Sequence, residues 1–378
     1  MYFHLRSSLL AFFILGLVFN NYGQQHSHQS TTPVTFPDIP GYLSLTTDLH
    51  QHTVFSDGSV WPDIRVMEAL REGLDVISLT EHLEYQPHAE DIPHPDRNRS
   101  YKLALAEAEE HDLIIVHGSE ITRGAPVGHN NAVFIKDANT LLDADPKVPF
   151  KEAKDQGAFV FWNHPAWYAQ QPKGNPVLSV FQKDRIQSGE LHGIEVINTT
   201  DYSEEALQIA LDQNLTIMGT SDIHGLIAWD YIDYGKHRPL TVVFAKTRSA
   251  DAVREALMER RTVAVYNSLW VGRAQWLIPL MKASIKIAEA SYIPETQILK
   301  VVLENQTSSD LLFENAMEYT FYSSSPVFEI PAGDTITLQV KTLEIKSSLD
   351  LTLKALGAFT APKEHPVISW KIGVEDPK

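Results

Sequence analysis

His50, Gln51 and His52, with Asp57 and Gly58 close behind, place two imidazoles two residues apart at the end of an apolar run. Side chains at i and i+2 of a strand share one face. An ordinary strand has no need of a histidine pair there, whereas zinc, iron and nickel are commonly held by neutral imidazole nitrogen. Four later segments each end in His, Glu or Asp: Thr80-Glu81-His82, Gly118-Ser119-Glu120, Asn163-His164-Pro165 and Ser221-Asp222-Ile223-His224. Ligands delivered by so many segments point to a multinuclear metal site of the kind hydrolases use.

Each of these residues has a plainer reading on its own. Asp57 alone is a turn residue before glycine, and His82 alone a structural histidine; in this series both read as ligands. Glu81 reads as a neighbour that orients its surroundings. Glu120 follows a strongly apolar strand, and its two carboxylate oxygens suit it to bridge two cations. His129, in Gly128-His129-Asn130-Asn131, stands just before a short strand. His164 ends an apolar strand, and Asp222 and His224 repeat the i, i+2 spacing of the first pair. His117 falls within or beside a strand. His88 and His94 lie in a polar, Pro-rich loop, where surface and substrate-contact roles are both open. His111 ends a helix, where a cation is favourable. His4, His26, His28, His192, His237 and His365 read as incidental.

The 378 residues suffice for one large domain and a smaller one, and 43% apolar with 21% charged content is that of a globular chain. The formal charge of −17 argues against a nucleic-acid partner, which would call for clustered Lys and Arg. Part of that excess is expected of carboxylates that bind cations; surface acidity that keeps an exported protein soluble is the other source. With no cysteine, the chain has neither disulfides nor a lipid-bearing N-terminal Cys, and its metal ligands must be N and O donors. Arg6 precedes an apolar run from Leu9 to Phe19, so residues 1–23 read as a signal peptide. The run is short for a membrane span, and an uncleaved anchor is the alternative. The mature protein is therefore expected to have no stable span and to be periplasmic or secreted. Residues 24–41 are a polar linker.

Residues 42–275, which carry these ligands, alternate short apolar runs with helical patterns. Ile64, Met67, Leu70 and Leu74 recur at helical spacing, with Pro62 at the start and Gly73 near the end. Repeated strand–helix alternation predicts parallel strands with right-handed crossovers. The ligand segments sit at or just after strand C-terminal ends, the active-site face of a barrel, and their spread over at least five strands favours closure. From residue 283 to 378 the period becomes two, as in Leu299, Val301 and Leu303 or Leu349, Leu351 and Leu353, which reads as a small all-β sandwich.

The motifs Asp48-Leu49-His50-Gln51-His52-Thr53 with Ser56-Asp57-Gly58, then Thr80-Glu81-His82, Glu120, His164 and Asp222-Ile223-His224, resemble the polymerase and histidinol phosphatase (PHP) family of metal-dependent phosphoesterases. The resemblance covers roughly residues 44–270 and implies an α/β fold, a distorted (β/α)7 barrel with up to three divalent ions (Zn, Mn or Fe). It implies that His50, His52, Glu120 and Asp222 hold the first ion, Glu120, His129 and His164 the second, and Asp57, His82 and His224 the third. Two departures stand out. The second motif is Thr-Glu-His where the family often has Thr-Asp-His, and Asp57 stands where some members have His. The signal peptide and β-rich tail resemble the exported PHP phosphodiesterases of Gram-negative bacteria.

The expected reaction is hydrolysis of a small phosphate ester, most readily a diester, by a hydroxide bridging two metals. Glu120, Asp222 and Arg123 are the residues expected to serve the reaction directly. Arg123 is a phosphate clamp by the bidentate fit of guanidinium to phosphate, or else a solvated loop arginine, with Arg97 and Arg99 competing for the role. Trp162, Trp167, Tyr168 and Trp229 either wall an ester group or pack the core. The alternatives are a phosphomonoesterase of the histidinol-phosphatase type and a binding protein with a structural metal site. A C–N hydrolase is disfavoured, for want of a strand-end lysine near these motifs. Oligomeric state leaves no mark on the sequence.

Overall fold

The computed structural model describes residues 33–374, so the expected signal peptide, His4, His26 and His28 lie outside the described residues. Eleven strands in chain order run β1 (Leu43–Asp48), β2 (Val76–Leu79), β3 (Ile114–Thr122), β4 (His129–Val133), β5 (Phe159–Trp162), β6 (Gly193–Asn198), β7 (Asp201–Tyr202), β8 (Thr216–Thr220), β9 (Leu240–Ala245), β10 (Thr262–Tyr266) and β11 (Leu269–Gly272). With the short strand Ala358–Phe359 they make one curled twelve-stranded sheet. Seven of them form a ring. β1, β2 and β3 pair in parallel, β4 pairs antiparallel with β3 and β5, and β5, β6 and β8 pair in parallel. Beyond the strand ends, Gln51 bridges Ile223 in parallel, and the Asp222 amide donates to the His50 carbonyl at 2.9 Å. The chain after β8 thus returns to the chain after β1.

The sheet is mixed, which corrects the expectation of uniformly parallel strands. The link from Thr122 to His129 is too short for a crossover, so β4 must turn back on β3. β9 also runs antiparallel to β1, and β10 and β11 extend the sheet antiparallel beyond it. β2, β5, β8, β9 and β10 are buried along their whole length, as expected of strands covered on both faces.

The first helix, α1 (Pro62–Glu72), starts at proline and ends on Gly73 in the left-handed conformation (φ 70°), as its residues imply. Its buried face is only in part the one hydropathy suggested, since Leu70 packs against the core and Leu74 beyond its end is buried. Ile64 and Met67 are exposed, and the helix buries Pro62, Arg65, Val66, Ala69 and Glu72. The reason is polar. Arg65 donates to the carbonyls of His52 (3.0 Å) and Ile223 (3.1 Å), joining the loops after β1 and β8. Glu72 meets the fully buried Arg238, whose Nε lies 2.7 Å from Glu72 Oε2 and whose Nη1 lies 3.0 Å from Asp48 Oδ2. Asp48 also accepts from the Ser221 amide and hydroxyl.

The C-terminal strands form two antiparallel sheets. One holds Ile285–Tyr292, Ile298–Asn305 and Thr335–Lys341; the other holds Leu311–Asn315, Val327–Ile330, Ser348–Ala355 and Val367–Gly373. Leu299, Val301, Leu303, Leu349, Leu351 and Leu353 all face inward, as their period of two requires. Their core is continuous with Val66, Ile77, Phe244 and Trp270 of the barrel. The strand Ala358–Phe359 then pairs in parallel with β11. Among the described residues no helix is long and apolar enough to cross a membrane.

Replacing Arg238 by Met would leave Asp48 and Glu72 buried without their shared cation. A loss of about 3–5 kcal/mol is expected for breaking such a pair from one side, measured as a lower urea midpoint. An unchanged midpoint would show that the pairing does not secure the ring.

Candidate metal centre

Nine side chains converge at the open end of the ring, each carried by or just beyond a strand. His50 and His52 follow β1, Asp57 lies in the turn after them, and His82 follows β2. Glu120 lies in β3, His129 opens β4, His164 follows β5, and Asp222 and His224 follow β8. They fall into four overlapping groups within which the donor atoms lie within 4.8 Å of one another. These are His50, His52 and Asp222; His50, Glu120 and His164; His82, Glu120 and His129; and His52, Asp57, His82 and His224. The structure therefore assembles all nine expected residues. Their grouping differs in detail from the expectation, because His129 sits with His82 and His164 with His50.

Glu120 is the hub and is fully buried. His82 Nδ1 touches its Oε2, His129 Nδ1 lies 2.9 Å and His164 Nε2 3.6 Å from its Oε1, and His52 Nε2 lies 3.7 Å from its Oε2. Asp222 Oδ1 stands 3.1 Å from His50 Nε2 and 3.2 Å from His52 Nε2. Asp57 meets His224 Nε2 at 3.1 Å and His82 Nε2 at 3.4 Å. Two of the nine residues hold left-handed backbone, His164 at φ 27° and Asp222 at φ 52°, a conformation uncommon for residues other than glycine.

The electrostatics follow from burial and neighbours. Burial disfavours a charged His50, but Asp222 and Glu195 against it outweigh that and raise its pKa to about 10. Burial of His82 is likewise outweighed by Glu120 and Asp57, and its pKa rises to about 11. Burial lowers that of His52 to about 3, against Asp222 and with the imidazoles of His82 and His224 adding to the effect. Burial works against ionised Glu120 and Asp222 as well, yet the surrounding imidazoles hold both carboxyls well below their usual range.

The donor set fits divalent metal. Glu120 Oε2, Asp57 Oδ1 and His129 Nδ1 are buried yet make no aligned hydrogen bond, although His82, His224 and Glu120 atoms respectively stand against them. Crowding without alignment is what atoms aimed at a shared cation give. Around this set the sequence hid a supporting shell. His50 Nδ1 pairs with Glu195 Oε1 at 2.7 Å, leaving Nε2 to ligate. The other Glu195 oxygen accepts from the His164 amide (2.5 Å) and Asn198 Nδ2 (2.9 Å). Glu195 was legible as a lone carboxylate in the apolar run Gly193–Asn198. Asn163 donates to Glu120 Oε1 at 2.9 Å. Glu81 acts as expected, accepting from Thr53 and from Ser56, whose hydroxyl lies 3.2 Å from His52 Nδ1. Gly58 closes this turn, and a Cβ there would meet the His52 carbonyl carbon at 2.7 Å.

Other expectations need correction. Arg123 does not reach the metal cluster: its Nε lies 2.8 Å from Glu84 Oε1, and its Nη2 donates to the Asp143 carbonyl. Arg97 is tied to the carbonyls of Leu83 and His94. Trp162 is core, and Trp229 lies on the surface away from the cleft. Trp167 and Tyr168 do line the cleft, which has a volume of about 430 Å³ and opens over Asp57, His82, His129, His164, Asp222 and His224. His94 is structural, its Nε2 bonding the Phe55 carbonyl at 2.8 Å, and His117 stacks on Tyr101.

A seven-strand ring with imidazoles and carboxylates beyond its strand ends defines a metal-dependent hydrolase barrel. Comparison narrows the class. A two-domain protein from Bacteroides vulgatus containing a predicted PHP-like metal-dependent phosphoesterase is 39% identical, with a TM-score of 0.84 over 91% of this chain and 99% of its own. This chain belongs to that family of PHP-like proteins. The Ig-like domain family DUF5001 matches residues 285–371. A putative metal-dependent phosphoesterase from Bifidobacterium adolescentis is 18% identical, with a TM-score of 0.38 over 49% of this chain and 90% of its own, too distant to bear on the argument. No curated protein matches the chain.

Two outcomes are expected. Glu195→Gln should weaken metal binding about 10–100-fold, the usual effect of losing an outer partner of a ligating histidine, measured by elemental analysis after dialysis. Because His50 and His82 carry protons at neutral pH unless metal displaces them, apparent affinity should rise with pH from 6 towards 9. Calorimetry in buffers of differing ionisation enthalpy should show proton release, and pH-independent binding without release would refute the assignment of these two as ligands.

Proposed function

We propose that this protein hydrolyses phosphate esters, in particular diesters, at a centre of up to three divalent ions (Zn, Mn or Fe), outside the cytoplasm. The observation that carries the reading is Glu120, a buried carboxylate whose two oxygens are faced by imidazoles from different strands. Bound divalent ions would supply charge neutralisation at phosphorus and a water acidic enough to attack at neutral pH. In this reading His50, His52, Glu120 and Asp222 would hold one ion, Glu120 with His129 and His164 a second, and Asp57, His82 and His224 a third. Glu195 and Ser56 keep the Nδ1 atoms of His50 and His52 engaged, so that Nε2 of each faces the cluster.

Diester preference is supported by the charge of the cleft. Among the described residues, no Lys or Arg lines it. A monoester dianion benefits from a side-chain clamp beyond the metals, while a singly charged diester needs less and presents a second ester group for the walls to hold. Export rests on the apolar run from Leu9 to Phe19 behind Arg6, and is checked by fractionating cells that express the full chain.

Metal-loaded protein should cleave bis(p-nitrophenyl) phosphate faster than p-nitrophenyl phosphate. The reverse order would favour a phosphomonoesterase, and cleavage of neither a binding protein. Glu120→Gln should lose bound metal together with nearly all turnover. Retention of both would overturn the bridging role.

A further inference from the structure

The cleft has a second side that the metal ligands do not use. Its wall is made by Pro165, Trp167 and Tyr168 after β5 and by Val196 and Tyr202 of the β6–β7 hairpin. Trp167 stands directly over the ligands, its ring centroid 5.1 Å from that of His164 and 5.4 Å from that of His129. A group retained on a phosphorus held by these ligands would extend along this wall. Asp201, exposed on the same hairpin, makes that path unfavourable for a second anionic group.

Tyr202 is held from behind by the C-terminal sandwich. Its ring stacks on Phe359 with centroids 5.4 Å apart and planes at 29°. Phe359 sits on the strand that joins β11 in parallel. Its other neighbour is His365, 4.6 Å away, whose Nδ1 lies 2.9 Å from the Ala358 carbonyl. The segment is thus built into both the barrel edge and the sandwich. The Tyr202 hydroxyl is buried and has no hydrogen-bond partner among the described residues, so the ring and not the hydroxyl is the feature this contact sets in place.

We infer that the C-terminal sandwich is part of the specificity apparatus: Phe359 positions Tyr202 so that, with Trp167, it forms a subsite for an apolar, planar ester group lacking a second negative charge. This rests on the phosphodiesterase reading above and adds to it the class of substrate. Phe359 is a positioning residue, since it acts through Tyr202.

The test compares phenyl p-nitrophenyl phosphate with methyl p-nitrophenyl phosphate, which share a leaving group and differ only in the retained ester. The wild-type protein should prefer the phenyl ester in kcat/KM. Phe359→Ala and, independently, Tyr202→Ala should reduce that preference about tenfold, the scale of one aromatic contact, chiefly through KM for the phenyl ester, and Phe359→Ala should leave metal content and methyl-ester turnover unchanged. Tyr202→Phe should retain it. Equal rates for the two esters in wild type, or an equal loss on both in the variants, would overturn the inference. Calorimetric binding of phenylphosphonate against methylphosphonate to metal-loaded protein reads the same subsite without turnover. A protein that cleaves neither ester yet binds phenylphosphonate more tightly, with the difference erased by Phe359→Ala, would refute the hydrolase reading and leave the subsite standing; equal binding would refute the subsite.

Discussion

The structure depends on keeping Glu120 ionised where water does not reach. A carboxylate taken from water carries a penalty of several kcal/mol unless opposite charge meets it. Here the opposing groups are imidazoles drawn from the ends of other strands, buried or nearly so, and they in turn are matched by carboxylates. Neither set is tolerable alone. The ring of strands brings them to one place, and the closure between Gln51 and Ile223 draws the first and last ligand loops together. Arg65 and Arg238 serve the same end from below. One binds the carbonyls of both loops, and the other neutralises Asp48, the carboxylate that holds Ser221 next to Asp222.

Where reading the sequence succeeded, the information was local. An imidazole pair after an apolar run, or a carboxylate ending one, is conspicuous because nothing in ordinary packing requires it. The nine positions that the structure gathers at the end of the ring were legible on those grounds together with the order of the motifs, and the sandwich through its period of two. What failed was non-local. Hydropathy put Ile64 and Met67 of α1 inward, yet the helix lies over loop carbonyls and buried carboxylates that call for donors and acceptors, and it turns Arg65 and Glu72 to them. Alternation of strand and helix suggested one strand direction throughout, but β9 owes its antiparallel register to its partner β1, which no local pattern records. Arg123 had the right type and position for a clamp, and Glu84, far from it in spacing and close in space, engages it.

The supporting shell teaches a narrower lesson. Glu195 reaches His50 and the backbone of His164 with its two oxygens, so one residue of β6 orients ligands from two other strands. Lone carboxylates inside apolar strands are therefore as informative as histidines at strand ends: burial without a nearby cation in sequence implies a partner in space.

The relation between barrel and sandwich follows from the same physics of close approach. The apolar core runs unbroken from Val66 and Phe244 of the barrel to Val301 and Leu338 of the sandwich only because the two parts present apolar faces to one another. At the barrel edge the contact is tighter still. A Cβ at Gly357 would lie 2.2 Å from the Ser268 carbonyl oxygen, so only glycine lets this loop press against the turn between β10 and β11. That approach is what allows Trp270 to donate its amide to the Gly357 carbonyl at 2.9 Å and the next two residues to add a strand to the sheet. A sandwich tethered by its linker alone would need no such fit. Its docking carries an aromatic ring to the back of the cleft wall, which ties the packing of the smaller part to the geometry of the site in the larger one.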